Sequence, residues 1–229
     1  MTLYDNFINQ IFNILPEELK EFDYETSKLK KGDKNSILLL RDTAYELGGS
    51  QMPCISTTVA SSEISFKDGV YLYGKDLCEI KNDCPFGKFV FLYINDIPEE
   101  KTYDVIKELE QIRYNYVPDG FMSRASALSL REQIRVSKKA VKRKITFKDY
   151  GNALIDEYKK NPIVKAVKVV FLTDFNNYDD LYILCDKIKR TTSALNHIFD
   201  NILYNCSSCS LKTICDEVEG MKELHMKNK

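Results

Sequence analysis

The chain has 229 residues, 44% apolar and 29% charged, with 33 Lys and Arg against 34 Asp and Glu for a formal net charge of −1. That composition suits one large globular domain, or one domain with an appended lobe, and it excludes a globally basic nucleic-acid binder and an acidic disordered tail. No apolar run approaches the roughly 18 residues of a membrane span, and Met1-Thr2-Leu3-Tyr4-Asp5 lacks the basic and apolar parts of a signal peptide, so a cytoplasmic protein is expected.

Leu3, Phe7, Ile8, Ile11, Phe12 and Leu15 recur at helical spacing until Pro16, which predicts an amphipathic first helix. Ile37-Leu38-Leu39-Leu40 reads as a buried strand, and Gly48-Gly49 followed by Pro53 as a tight irregular loop. Strands are expected at Val70-Tyr71-Leu72-Tyr73 and from Phe89 to Ile94, the second apolar on both faces like a central strand, with turns at Asp68-Gly69 and Pro85-Phe86-Gly87. From Lys101, the spacing of Val105, Ile106, Leu109, Ile112 and Tyr116 predicts a helix ended by Pro118-Asp119-Gly120. A second helix is expected over Ala127 to Lys144 and a short one over Gly151 to Lys160. A buried strand follows at Val167 to Leu172, then helices at Tyr178 to Arg190 and Ser193 to Leu203. Strands mixed with helices of this length predict an α/β or α+β fold, a mixed sheet flanked by helices with a short helical, cysteine-containing C-terminal lobe, divided at 1–200 and 201–229.

Seven cysteines in an intracellular chain should be reduced, so their spacing is read for metal ligation or reactivity. Cys206 and Cys209 form a C-x-x-C pair, and Cys215 follows after five residues. Thiolates so spaced can wrap a small inorganic centre, and either tetrahedral zinc or a cubane cluster needs a fourth ligand. Downstream, His225 is the strong ligand type left, and a short helix over Asp216 to Leu224 would bring it back. Thiolates suit zinc and iron–sulfur alike, and free cysteine also behaves as a small buried hydrophobe, so three readings stay open.

Seven of the fourteen residues from Arg131 to Lys144 are Lys or Arg. On a helix, Arg131, Arg135, Lys138 and Lys142 form one stripe. With Arg124 in the preceding loop, Arg135 and Lys138 are candidates to hold the nucleotide end of a large phosphorylated cofactor, arginine through paired N–H groups and lysine as a point charge. A solvated helix face or a dock for an acidic partner is the competing reading. Nucleic acid is not expected, because no aromatic residues interleave the patch for base stacking.

Taken together, the local strings resemble the middle part of acetyl-CoA synthase, the beta subunit of acetyl-CoA decarbonylase/synthase and carbon monoxide dehydrogenase systems. The resemblance runs through Tyr45-Glu46-Leu47-Gly48-Gly49, Pro53, Ser61-Ser62-Glu63-Ile64, Asp68-Gly69, Gly74 and Asp76. It continues in Arg135-Val136-Ser137-Lys138, Phe147-Lys148-Asp149-Tyr150-Gly151, Pro162-Ile163-Val164 and Phe171-Leu172-Thr173-Asp174, in the family's order and nearly its spacing. Tyr204-x-Cys206-x-x-Cys209 arrives where the family places the first two cysteines of its cluster.

The resemblance implies a coenzyme A site in the middle domain and a [4Fe–4S] cluster at the cysteine loop, with a corrinoid protein or a carbon monoxide dehydrogenase-type subunit as partner in anaerobic one-carbon metabolism. In the family, methyl, CO and coenzyme A become acetyl-CoA at a cluster bridged to two nickel sites. This sequence departs from that pattern. The Cys209 to Cys215 gap is shorter, and His225 stands where the fourth cysteine falls. No Cys-Gly-Cys for nickel is present, and there is no Trp, although the family links one before Arg135 to coenzyme A. Complete synthase chemistry from these residues alone is therefore not expected, and no nickel site is evident; the competing expectation is a non-catalytic binding module with structural zinc or free cysteines.

Overall fold

The computed structural model describes every residue except 34–36, 50, 99–100, 127–128, 200–206, 219, 222 and 225–229. In chain order it contains α1 (Asp5–Ile14), β1 (Lys20–Asp23), a 3-10 turn (Leu40–Asp42), β2 (Thr43–Leu47), β3 (Cys54–Ser61), β4 (Gly69–Tyr73) and β5 (Phe86–Ile94). Then follow α2 (Thr102–Asn115), β6 (Phe121–Ala125), β7 (Glu132–Ser137), α3 (Lys138–Lys142), α4 (Phe147–Tyr158), β8 (Val164–Leu172), α5 (Tyr178–Phe199) and α6 (Lys212–Glu217). The fold is mixed α+β with a helical C-terminal part, as the sequence pattern predicts.

Five strands make one mixed sheet in the order β1-β4-β8-β5-β3, with β8 antiparallel to β5 but parallel to β4. Strands β5 and β8 sit in the interior of the sheet and are apolar on both faces because both faces are covered. One face packs on α4, through Val70, Val90, Leu92, Val167, Val169 and Phe171. The other packs on α1, α5 and α6, through Phe89, Phe91, Val170 and Leu172. A smaller antiparallel sheet, β2-β7-β6, joins the α4 side, so its inner face shares the first core.

Helix α4 starts where Thr146 and Asp149 form a reciprocal capping box, each side chain accepting from the other's backbone N–H. It lies close on β4 because Gly151 has no side chain: a Cβ there would stand 2.5 Å from Val70 Cγ2.

Several expectations are corrected. The Ile37 to Leu40 run is no buried strand; it forms an exposed strap ending in the 3-10 turn, with Ile37 and Leu40 at 76% and 74% exposure. The helix expected over Ala127 to Lys144 is strand β7 followed by the five-residue α3. The two helices expected after Tyr178 are one, α5. Its polar Thr191-Thr192-Ser193 stretch stays helical because the helix is packed on both sides of it, through Ile188, Ala194 and Leu195, while each hydroxyl donates to the carbonyl four residues back. Gly69 opens β4 and Phe86-Gly87 open β5, so the flanking turns are shorter than expected.

Candidate functional site

Side chains on the small sheet alternate between its two faces. Glu132, Ile134 and Val136 of β7 point inward with Tyr45 and Leu47 of β2 and Phe121 of β6, all buried. Gln133 and Arg135 point outward with Glu46, Met122 and Arg124. In register, Met122 pairs with Arg135 and Arg124 with Gln133, which makes Arg124 and Arg135 diagonal neighbours on the outer face. Lys138 opens α3 directly after β7.

The structure thus brings Arg124, Arg135 and Lys138 to one surface, but on different elements from those the sequence suggested. Arg124 is on strand β6, not in a loop, and the single stripe of Arg131, Arg135, Lys138 and Lys142 does not exist. A strand between Arg131 and Lys138 rotates alternate residues to opposite faces, which a helical spacing cannot show. Arg131 serves the backbone instead: its Nη2 donates to the carbonyls of Gly48, Gly49 and Met52 at 3.1, 2.7 and 3.2 Å, fixing the glycine loop. Gly48 takes a positive φ of 62° there, and a Cβ on it would meet Cys54 Sγ at 2.4 Å.

Arg124 is exposed. Arg135 is partly buried; its Nε donates to Glu46 Oε1 at 2.5 Å and its Nη1 to the Leu38 carbonyl at 3.1 Å. Lys138 Nζ donates to the Arg41 carbonyl at 2.8 Å. Three cations against the Glu46 carboxylate leave this face an excess of two positive charges, with one guanidinium open to solvent.

The inner face holds a group that the sequence reading missed. Glu132, Lys88 and Arg113 are 1, 2 and 4% exposed and meet between the two sheets. Glu132 Oε1 accepts from Lys88 Nζ and from Ser123 Oγ at 3.3 Å; its Oε2 accepts from Ser56 Oγ at 2.7 Å and Arg113 Nε at 3.0 Å. Cys54 Sγ accepts from the Glu132 amide and donates to its carbonyl, at 3.3 and 3.4 Å. Burial alone would push the Glu132 carboxyl up, but the adjacent Lys88 and Arg113 charges and the hydrogen bonds hold it at about 2. Burial outweighs the Glu132 charge at Lys88 and lowers the ammonium's pKa. Arg113 Nη2 has no hydrogen-bond partner among the described residues. Residues from α2, β3, β5, β6 and β7 converge here, so the cluster fixes the small sheet on the large one and sets the position of the outer face. A lone lysine inside the otherwise apolar run Phe86–Ile94 was the available signal.

In the cysteine loop, Cys206 and His225 lie outside the described residues. Cys209 is partly buried, and its carbonyl accepts the Lys212 N–H at 3.2 Å. Cys215 is inside α6 and packs against the apolar cluster of α1 and α5. Helix α6 begins ahead of the Asp216 to Leu224 segment expected for it. Among the described residues no three His, Cys, Asp or Glu side chains stand where they could hold one metal ion. Among the described residues no helix is long and apolar enough to cross a membrane.

Residues 35–178 match the family model described as CO dehydrogenase/acetyl-CoA synthase complex beta subunit, more than half of the 229 residues. The match takes in the small sheet, the buried cluster and α3, and stops short of the cysteine loop. No curated protein matches the chain.

Proposed function

The chain belongs to the CO dehydrogenase/acetyl-CoA synthase complex beta subunit family, and from that premise we propose that it is a component of such a complex that takes the phosphate end of coenzyme A on the outer face of β6 and β7. The supporting observation is the diagonal pairing of Arg124 with Arg135 beside Lys138. Coenzyme A carries a diphosphate and a separate phosphate, and an excess of two positive charges on a rigid sheet face suits that ligand. Arg124 would meet a phosphate through paired N–H groups, Lys138 as a point charge, and Arg135 by exchanging part of its contact with Glu46.

The same reading gives the cysteine loop an iron–sulfur centre held by Cys206, Cys209, Cys215 and His225. Three thiolates and an imidazole are a donor set that accepts iron or zinc. When bound, a cluster would carry electrons, and a histidine in place of a thiolate removes one negative charge and raises its potential. The partial exposure of Cys209 supports access to a centre, whereas the packing of Cys215 against apolar side chains favours the alternative of a core cysteine. The partner proposed is a corrinoid protein or a carbon monoxide dehydrogenase-type subunit, in a reducing cytoplasm.

Titration calorimetry with coenzyme A tests the first part. Arg124→Ala should weaken binding by about 1.5–3 kcal/mol, the worth of a hydrogen bond to a charged group, while the melting temperature stays put because the side chain is exposed. No heat from the parent protein refutes the ligand. Anaerobic purification tests the second: iron and sulfide with visible absorbance support the cluster, and a colourless zinc protein replaces it.

A further inference from the structure

Among the described residues the exposed large apolar side chains are Ile37, Leu39, Leu40, Tyr182 and Ile183. They fall into two patches. The first is the strap over the outer face of the small sheet. Its backbone is pinned: the Leu38 amide donates to Met122 Sδ, the Leu38 carbonyl accepts from Arg135, and the Leu39 carbonyl accepts from the amides of Asp42 and Thr43 and the Thr43 hydroxyl. Ile37, Leu39 and Leu40 are therefore held outward rather than left to collapse. Arg41 beside them is exposed, and Lys138 reaches its carbonyl. Asp42, the carboxylate on the strap, already stands 3.7 Å from Arg41.

The second patch is the start of α5. Phe175, Tyr178 and Tyr182 touch in series, the first pair edge to face and the second tilted, with ring centroids 5.4 and 6.0 Å apart, and Ile183 stands exposed beside Tyr182. Its rim is acidic: Asp174, Asp179 and Asp180 are all exposed. One patch is aliphatic, with Arg41 and Lys138 on its rim against the single carboxylate of Asp42, and the other is aromatic with a carboxylate rim. Exposed apolar clusters rimmed by polar residues mark interaction sites, and opposite rims select each other while repelling their own kind.

We propose that the chain self-associates through these two patches, the Ile37–Leu40 strap of one copy seating on the Tyr178–Ile183 face of its neighbour. Reciprocal pairing closes a dimer, and one-way pairing extends a chain of copies. The contact is small, so association is weak and concentration-dependent. The strap borders the face proposed for coenzyme A, since Arg135 and Lys138 bond its carbonyls; sedimentation is therefore run without coenzyme, so that this proposal and the coenzyme reading fail separately.

Sedimentation of the full chain over a roughly hundredfold concentration range reads it out. The apparent mass should rise above 26.5 kDa with concentration and fall back as salt is raised. Leu40→Ser should shift the curve toward monomer. So should Arg41→Glu, and so should the pair Asp179→Lys with Asp180→Lys. Mixing the Arg41→Glu chain with the double lysine chain restores association, because each now offers the rim the other lacks; circular dichroism checks that every variant keeps its fold. A parent chain that stays at 26.5 kDa throughout overturns the proposal. Association that Leu40→Ser and the α5 variants leave unchanged, or a mixture that fails to recover, overturns it equally.

Discussion

Replacing Glu132 by Gln keeps the shape of the side chain and removes its charge, leaving Lys88 and Arg113 buried without a counter-ion. Breaking a buried pair from one side costs about 3–5 kcal/mol. The proton linkage gives a similar figure. Glu132 is held at about 2 in the fold against 4.5 for an open chain, and at about 1.4 kcal/mol per tenfold in proton affinity the gap is worth about 3 kcal/mol. A carboxyl with a lowered pKa contributes its full stability above the unfolded value and loses it as pH falls toward the folded one. The parent protein should therefore weaken steadily between pH 4.5 and about 2, and Glu132→Gln should be already weak at pH 7 with a shallower acid slope. Urea denaturation from pH 3 to 7 measures both. Adding Lys88→Met to Glu132→Gln should recover part of the loss, since the stranded ammonium is then gone. A single substitution that costs under about 1 kcal/mol at pH 7, or an unchanged acid slope, would show that the cluster does not hold the sheets together.

Arg131→Ala deletes three carbonyl contacts made by one nitrogen and should cost about 1–3 kcal/mol, with faster proteolysis confined to the Gly48 to Met52 loop. Gly151→Ala improves helix propensity by about 1 kcal/mol, but its Cβ would press on Val70 at 2.5 Å; a net loss of about 1–2 kcal/mol is expected, and made in a Val70→Ala background the same substitution should no longer cost stability. Thr146→Ala opens the capping box of α4 and should lower stability by about 1 kcal/mol, read by thermal melting.

How far the sequence spoke depended on whether burial and hydropathy agreed. In β5 and β8 they do, and both strands are legible as apolar runs. In β3 they do not: Ser56, Thr57 and Ser61 are all buried, so a strand covered on both faces carries a polar sequence. Strand β7 is the sharper case. Its alternation is real, but the first inward residue is Glu132, and with basic residues on either side the segment reads as a solvated helix. The misreading and the buried cluster have one cause, since a charge placed in the core breaks the period by which strands are recognised. Ile37 to Leu40 errs the other way, an apolar run whose surface faces out. Arg124, Arg135 and Lys138 were legible as cations near one another in sequence, whereas the shared face of the two arginines follows from the β6–β7 register, with Lys138 beside it at the start of α3.

The most direct test of the account is an amide-resolved NMR titration of the intact chain with coenzyme A. Shifts concentrated at Met122, Arg124, Gln133, Arg135 and Lys138, and suppressed by Arg124→Ala, are the predicted outcome. Shifts that map instead to the α5 side of the large sheet, or none at all, contradict it.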